Sequence, residues 1–456
     1  MRGLTVSGAC ARTFLPAAIG TALLALLGGV IAAGMADTIV VAVPVLLAAI
    51  AIAAWVPASG VAAVVLAVPT IFHLYPLPRG TFSLLELAIL VAAAGTGLNV
   101  LLRLRSRGWA DLRALLTPAE VGVPVVVLVL ATAVAMLNLA DPSHRTESLR
   151  EVRLVIVEPL IFLGVARIVL RDQVSRAWAG IAFALGGCVV AVAAIIQVLG
   201  GIGGVEAGSV VRATVIYTHP NNLALYLERT LLFSAGLVFL RPRWWPAWVV
   251  CCIQAAGLFL TFSRGSFLGV AAGLALLLAL AGMWRAILAL AGAGIVVGGL
   301  ALLVAPDRLI DTGGAGSEPT RFAIWRSSLR MIADHPIFGV GPDQFLYQYW
   351  RRYIEPMGWP ERYTSHPHNL VLDVWLRLGV LGLAAFATLI AGLVRIVARA
   401  RTAIRRDAIA AGALTALFGG LVHGMVDNGF FLADLATMTW FFVVCLVTLA
   451  PRDEKV

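Results

Sequence analysis

Long hydrophobic runs, separated by short polar segments, recur along nearly the whole chain. Most of them approach the ~20 residues that an α-helix needs to cross a hydrocarbon core of ~30 Å. The third run is short and is also compatible with a re-entrant segment. About fourteen spans are predicted, near residues 14–34, 38–55, 60–75, 82–102, 118–140, 152–170, 177–200, 221–240, 244–262, 265–281, 285–305, 369–394, 407–425 and 431–449. The pattern therefore predicts an all-α, polytopic integral membrane protein.

The composition supports a membrane protein and argues against nucleic acid or a nucleotide bound by a P-loop. Of the 456 residues, 61% are hydrophobic and 13% are charged, whereas soluble domains carry ~25% charged residues. The net charge of +10 comes almost entirely from arginine, because Lys455 is the only lysine. In a membrane protein a basic excess indicates positively charged cytoplasmic loops rather than a nucleic-acid partner. The scarcity of lysine also excludes a P-loop, whose lysine must reach nucleotide phosphates.

Arginine is concentrated in alternate loops between the predicted spans. The loops opposite to them, 35–37 and 76–81, are nearly free of charge. The basic loops carry Arg103, Arg105, Arg107 and Arg113, then Arg171 and Arg176, then Arg241 and Arg243, and finally Arg395, Arg399, Arg401, Arg405 and Arg406. By the positive-inside rule both termini are predicted to be cytoplasmic.

The chain divides into four parts on this topology. Residues 1–204 and 369–456 form the N-terminal and C-terminal transmembrane helices, and 205–305 form the helices that carry outward-facing arginines. Residues 306–368 form a large external segment. That segment is rich in aromatic residues, which either anchor in lipid headgroups or stack on sugars. It also carries Arg308, Arg321, Arg326, Arg330, Arg351, Arg352 and Arg362.

Three polar sites are predicted to converge on the external face. They are residues 212–222, the tight turn 261–265, and residues 366–369. Their candidate functional residues are Arg212, Tyr217, Asn221, Arg264, His366, His368 and Asn369.

Arg264 lies in a turn too short to leave the membrane region, where a buried arginine costs about 2.5–3.5 kcal/mol or more. One interpretation is an interfacial arginine that snorkels to lipid phosphate. The other is a fixed guanidinium that binds an anionic ligand, since its fork suits phosphate oxygens. The same alternatives hold for Arg212 in its looser loop, and Arg321 is also explained by an amphipathic surface helix.

His368 follows a proline, as does Asn221, and prolines favour the first turn of a helix. A helix N-terminus attracts anions and lowers the pKa of a nearby imidazole, so a neutral His368 is expected to accept a proton. A capping histidine, a metal ligand and an interfacial residue are the competing interpretations. The absence of Asp-x-Asp and of a third ligand at a suitable spacing argues against a metal. For His219, His335, His366 and His423 a structural role is favoured.

Two acidic residues lie at unusual positions, and the sequence assigns no function to either of them. Asp427 lies with Asn428 outside the thirteenth span, and Glu158 lies within the sixth. An acidic residue inside a membrane is a functional candidate by default. An internal ion pair with Arg153 or Arg167 would also account for Glu158.

The order and spacing of four motifs resemble the O-antigen ligase and polymerase superfamily over residues 205–390. His368-Asn369, nine residues and Gly379-Val-Leu-Gly382 resemble the pattern His-(Asn/Ser/Gln), nine residues, Gly-x-x-Gly. Arg264-Gly-Ser-Phe-Leu268 is similar to the family's Arg-x-x-x-Leu. Residues 325–341 resemble the external loop before the catalytic histidine, and residues 219–224 resemble an Asn-Pro-Asn-type helix start.

The resemblance implies a membrane glycosyltransferase with a GT-C-like fold of about 12–14 transmembrane helices and an external helical loop. It implies inverting, metal-independent transfer without a cofactor, from a polyprenyl-diphosphate-linked glycan to a lipid or glycan acceptor, in the bacterial inner membrane. Arg212 and Arg264, with Arg321, would hold the diphosphate, and His368 would orient or deprotonate the acceptor hydroxyl. Tyr217, Asn221, His366 and Asn369 are the expected substrate-binding residues.

A secondary transporter or lipid-linked glycan flippase is the alternative. Such a protein also has many helices and buried arginines, but its charges should line a path to both faces. The candidate sites here are predicted on one face.

Overall fold

The computed structural model describes residues 8–78, 80–107, 118–207, 210–240, 242–289, 291–292, 294 and 318–449. Most of the span predicted near 285–305, and the positions of Arg113, Arg241 and Arg308, lie outside the described residues.

The described chain is mainly helical. Its first half contains α1 (Gly8–Ala32), α2 (Ile39–Trp55), α3 (Pro57–Ala67), α4 (Leu84–Arg107), α5 (Ala119–Leu137), α6 (Arg145–Glu151), α7 (Glu158–Val169) and α8 (Gln173–Leu199). Its second half contains α9 (Pro220–Leu240), α10 (Trp245–Phe259), α11 (Arg264–Leu280), α12 (Glu318–Asp334), α13 (Phe345–Gln348), α14 (Leu370–Ile404), α15 (Ala408–Gly424) and α16 (Ala433–Val447).

These helices confirm an all-α polytopic membrane protein. Among the described residues, six helices are long and apolar enough to cross a membrane, and six more are apolar and shorter. The sixth predicted span is a π-helix, Val152–Val157, that continues directly into α7. The division of the chain at residues 204, 305 and 368, and the orientation of the termini, stay predictions.

Two short antiparallel hairpins were not predicted. One pairs β1 (Tyr75–Leu77) with β2 (Gly80–Phe82), and the other pairs β3 (Val205–Ala207) with β4 (Val210–Arg212). Strands of three residues leave almost no alternating pattern to detect. The second hairpin matters for function, because it ends on Arg212.

The main core surrounds α9, which is buried along most of its length. Aromatic rings from α8, α9 and α16 pack there, with Phe183 against Phe233 at 5.3 Å and against Phe441 at 5.5 Å. Glycines let helices approach closely, and a Cβ on Gly236 would lie 2.5 Å from the backbone nitrogen of Gly412. Small residues at helix contacts are typical of membrane bundles.

The segment after residue 318 has a smaller core of its own. Buried residues of α12 and of the chain that follows it pack against the start of α14. Its members are Ile324, Met331, Ile332, Val340, Phe345, Tyr349 and Leu376. This segment, which is predicted to be external, is therefore a packed unit that can hold side chains in fixed positions.

A kink in α14 joins this unit to the membrane helices. Gly379 has a left-handed φ of 64°, and a Cβ there would collide with the carbonyl of Ile337. The interruption of the helix frees backbone groups for the preceding loop: Val380 N–H donates to Ile337 at 3.0 Å, and Gly341 N–H donates to Leu376 at 3.1 Å. The Gly-x-x-Gly motif thus serves as the docking point for residues 335–341.

The intramembrane Glu158 is paired as the sequence suggested. Arg153 Nη1 lies 3.1 Å from Glu158, while its Nη2 lies 2.7 Å from Glu86. Arg153 is therefore the partner, and Glu86 is a second acidic member that the sequence did not indicate.

Candidate active site

The three predicted polar segments meet at one end of the helix bundle. α9 and α11 begin there, the turn after α10 lies beside them, and the loop before α14 covers them. Arg212, at the end of β4, donates from Nε to the carbonyl of Thr261 at 2.7 Å. A backbone turn and a hairpin that are 49 residues apart in sequence are thereby joined.

A continuous chain of hydrogen bonds links Arg212 to His368. Arg212 Nη2 donates to Asn221 Oδ1 at 2.8 Å, and Asn221 Nδ2 donates to Asp427 Oδ2 at 3.2 Å. The other carboxylate oxygen, Asp427 Oδ1, lies 3.4 Å from His368 Nδ1. A guanidinium and an imidazole from two separate predicted sites therefore belong to one network.

His368 has a strained backbone that its neighbours hold in place. Its φ is +51°, a left-handed value that is uncommon for residues other than glycine. Asn369 caps α14 with its side-chain oxygen, which accepts from Val371 N–H at 3.0 Å, and its Nδ2 donates to the carbonyl of Met425 at 2.9 Å. Phe262, in the turn beside Arg212, has a similar φ of +48°. Strain of this kind concentrates at functional sites.

A second carboxylate lies on the opposite edge of the His368 ring. Glu361 Oε2 is 3.6 Å from Nε2, and the hydroxyl of Thr364 is 3.4 Å from the same nitrogen. The Asp427 side chain is 5% exposed and that of Glu361 is 21% exposed. The imidazole thus lies between a buried carboxylate on its inner side and a more accessible one on its outer side.

The charge of His368 follows from these two carboxylates. Burial by itself lowers the pKa of an imidazole, but hydrogen bonding and charge from Asp427 and Glu361 raise the pKa of His368 to about 9. Burial would also raise the pKa of Asp427, yet the hydrogen bond and charge of His368 hold that pKa well below its usual range. The expectation of a lowered pKa at His368 is wrong, since the carboxylates outweigh both burial and the helix terminus.

The two neighbouring histidines behave differently. Burial, together with the charge of His368, places the pKa of His366 well below its usual value, and His366 Nδ1 accepts from His368 N–H at 3.2 Å. Burial and the charge of Arg212 likewise lower the pKa of His219, whose Nδ1 accepts from Asn221 N–H at 3.2 Å. Both rings thus use Nδ1 to hold the backbone beside the network.

The fold supplies a third possible metal ligand that the spacing of residues did not reveal. Possible ligand atoms of His366, His368 and Asp427 lie within 4.8 Å of one another. However, the Nδ1 atoms of both histidines are already engaged, one with a backbone N–H and the other with Asp427. The two Nδ1 atoms are thus used in hydrogen bonds, and metal independence stays a prediction.

The remaining predicted residues occupy different positions around the network. Arg264 begins α11 and is 36% exposed, and its Nη1 lies 3.8 Å from Glu318, the first residue of α12. Arg321 lies one turn further along α12, on the same face as Glu318. Tyr217 is buried and donates its hydroxyl to Asp434 Oδ2 at 3.2 Å. The functional roles of these three residues stay predictions.

Sequence reasoning missed three charged residues of the site. Asp427 was recognised as unusual but received no role, and neither Glu361 nor Arg377 was singled out. Arg377 is fully buried between Asp373, Glu151 and the carbonyl of Ser365. Its position inside the hydrophobic run that begins α14 was the available signal.

Residues 248–387 match the family model described as O-Antigen ligase. This stretch is similar to the O-antigen ligase family. The resemblance inferred from the motifs is confirmed here, because the matched O-antigen ligase residues include both Arg264 and the run from His368 to Gly382. The family implies glycan transfer of the ligase or polymerase type by a multi-pass membrane protein.

Three members of the network, Arg212, Asn221 and Asp427, lie outside the segment that matches the O-antigen ligase model. Their connection to His368 is therefore known only from the folded chain. No curated protein matches the sequence.

Proposed function

We propose that the protein transfers a glycan from a polyprenyl (undecaprenyl) diphosphate carrier to an acceptor hydroxyl. It acts as an O-antigen ligase or as a polysaccharide polymerase of the cell envelope, in the bacterial inner (cytoplasmic) membrane, with the site on the external, periplasmic face. Transfer is inverting and needs no metal. The donor is a lipid-linked glycan, and the acceptor is a lipid or another glycan.

One observation carries this proposal: the hydrogen-bonded chain from Arg212 through Asn221 and Asp427 to His368. Glycan transfer from a diphosphate needs fixed positive charge at the leaving group and a polar group at the attacking hydroxyl. The chain joins a guanidinium to an imidazole through two intervening side chains. These two groups are thereby held in a constant relation to each other at one end of an apolar bundle.

The arginines stabilise the diphosphate leaving group. As the bond between the anomeric carbon and the phosphate oxygen breaks, negative charge grows on the diphosphate, and a guanidinium stabilises it with paired N–H donors. Arg212 is pre-positioned by Thr261 and Asn221. Arg264 lies three residues after Thr261 at the start of α11, with its guanidinium partly exposed and therefore able to meet a ligand. Arg321 extends this positive region onto α12.

His368 acts on the acceptor hydroxyl. Its Nε2 faces the more exposed side of the site, while Asp427 holds Nδ1 from below. His368 thus meets the attacking hydroxyl with Nε2 and orients it, as acceptor activator. Attack by that oxygen on the side opposite to the diphosphate inverts the anomeric carbon.

The test is a transfer assay with purified protein, a polyprenyl-diphosphate glycan and a set of acceptors. Release of polyprenyl diphosphate with a ladder of longer glycans identifies a polymerase, and a single addition to a lipid anchor identifies a ligase. His368→Ala should insert into the membrane and bind donor but form no product. Unchanged product formation by this variant contradicts the proposal.

The transporter alternative rests on a separate observation. Glu228 and His423 form a fully buried pair between α9 and α15, next to the buried Arg229. Intramembrane groups of this kind can serve proton-coupled transport. Turnover in detergent, where no gradient exists, favours the transferase; donor binding without turnover for any acceptor favours a transporter or flippase.

A further inference from the structure

The accessible edge of the His368 ring faces the carboxylate of Glu361. Orienting the acceptor hydroxyl and accepting its proton can therefore be done by two different residues. His368 Nε2 and Glu361 Oε2 are 3.6 Å apart. A hydroxyl oxygen makes hydrogen bonds of about 2.8 Å. It can therefore lie within hydrogen-bond distance of both atoms at once, beside the line that joins them, without movement of either side chain.

We propose that Glu361 is the catalytic residue that accepts the proton of the acceptor hydroxyl, while His368 orients that hydroxyl. This inference rests on the proposed function. Glu361 then belongs to the reacting groups, and the acceptor enters from the side of the external segment.

The step balances as a single displacement. The acceptor oxygen forms a bond to the anomeric carbon, and the bond from that carbon to the phosphate oxygen breaks. Polyprenyl diphosphate leaves with the electron pair. The hydroxyl proton moves to the Glu361 carboxylate and from there to water.

Asp427 is not suited to the same task. Its Oδ1 accepts from Asn428 N–H at 2.8 Å and faces His368 Nδ1, and its Oδ2 accepts from Asn221. It lies on the inner edge of the ring, where it is 5% exposed.

Glu361 has a defined position rather than a place in a loose loop. It ends the short 3-10 helix Pro356–Glu361. Tyr349 belongs to the smaller core of the segment after residue 318. It donates its hydroxyl to the carbonyl of Gly358 in that helix at 3.3 Å. Thr364 N–H donates to the carbonyl of Glu361 at 3.0 Å, which turns the chain back toward His368. The carboxylate is thus held by the packed external segment.

The surface beside Glu361 suits a sugar. Trp359 and Tyr363 are 56% and 67% exposed, and the guanidinium of Arg362 lies between them, 5.2 and 4.7 Å from their ring centres. Exposed aromatic rings stack on the apolar faces of sugars, and the arginine adds a hydrogen-bond donor. A saccharide bound to these rings would present a hydroxyl next to Glu361.

The test compares Glu361→Gln with a matched control, Glu355→Gln. Glu355 lies in the same segment and pairs with Arg326 and Arg330, away from His368. A positioned base contributes roughly 10²- to 10⁴-fold to rate. We expect Glu361→Gln to lower kcat at least about 100-fold with donor affinity within about twofold of wild type, and Glu355→Gln to keep kcat.

Three results would overturn the assignment. A Glu361→Gln enzyme with kcat close to wild type shows that the proton goes elsewhere. Loss of donor binding in this variant shows that Glu361 serves the donor or the fold. An equal loss in Glu355→Gln shows a general effect of the segment. The proposed function is judged separately, by whether the wild-type protein turns over at all.

Discussion

Arg377 donates from Nη2 to the backbone carbonyl of Ser365 at 2.9 Å, across the start of the loop that carries His368. Its other donors meet Asp373 and Glu151, and its guanidinium lies 5.0 Å from the ring of Phe431, in the loop that carries Asp427. One buried arginine thus touches both loops of the candidate site. The two carboxylates and the carbonyl hold the Arg377 guanidinium in one orientation.

Replacing Arg377 by lysine should therefore disturb the site while keeping the charge. Lysine is a point charge and cannot hold two carboxylates and a carbonyl in fixed directions. We expect a lower melting temperature in detergent and a kcat reduced about tenfold or more, the equivalent of at least ~1.4 kcal/mol in the barrier. Arg399→Lys is the control, because Arg399 is largely exposed and pairs only with Glu120 among the described ion pairs. Equal effects in both variants would argue against a specific role for Arg377.

Asp427→Asn should separate the effect of the Asp427 charge from the effect of its side-chain size. The amide keeps the size of the side chain but no longer stabilises a protonated His368. We expect kcat to fall about 100-fold or more with donor affinity little changed, since activity depends on a correctly held imidazole. Steady-state kinetics alongside Asp141→Asn, a change at a partly exposed carboxylate outside the network, give the comparison. Wild-type kcat in Asp427→Asn would show that the link to His368 is dispensable.

The stability of the protein should depend on pH through His368. Its folded-state pKa, about 9, lies above the unfolded value of ~6.5. The group whose pKa is raised stabilises the fold fully below pH ~6.5, and this contribution is lost as the pH rises through about 9. Wild-type melting temperature should thus fall between pH 6.5 and 9 more steeply than that of His368→Gln. Parallel curves for the two proteins would contradict the charge assigned to His368.

Arg212→Lys should weaken donor binding. Arg212 uses Nε and Nη2 to reach Thr261 and Asn221, and a lysine cannot make both contacts while also meeting a phosphate. We expect donor affinity to fall about 10- to 100-fold, which corresponds to ~1.4–2.7 kcal/mol. Binding of a fluorescent polyprenyl diphosphate measures this, with Arg243→Lys, an exposed change beyond the far end of α9, as the control. Unchanged affinity in Arg212→Lys would exclude the guanidinium from the donor site.

Removal of divalent metal should leave transfer unchanged. The proposed chemistry stabilises the diphosphate with guanidinium groups rather than with a metal ion. The Nδ1 atoms of His366 and His368 are engaged in hydrogen bonds. Assays with EDTA and with added Mg²⁺ or Mn²⁺ should give the same rate. An EDTA-sensitive rate that one metal restores would instead assign a metal to His366, His368 and Asp427.

Hydropathy and the spacing of polar motifs were enough to predict the class of the protein and the segments that carry the site. Hydrophobic runs of bilayer length are sufficient for a helical membrane protein, because each such helix satisfies its own backbone hydrogen bonds. Arg264 and His368 could be found because charged and polar residues are rare in such runs and each lies at a helix start. The motif around His368 also gave the family. Spacing along the chain was enough for these conclusions.

The contacts that build the site could not be read from the sequence, because they join distant parts of the chain. Asp427 is 59 residues from His368, and Arg212 is 49 residues from Thr261, so no local pattern relates them. The charge of His368 was predicted in the wrong direction, because a pKa depends on carboxylates brought close by folding and not on the helix start alone. Glu361 likewise gained its place beside Nε2 from the packing of the external segment, a long-range property that sequence periodicity does not contain.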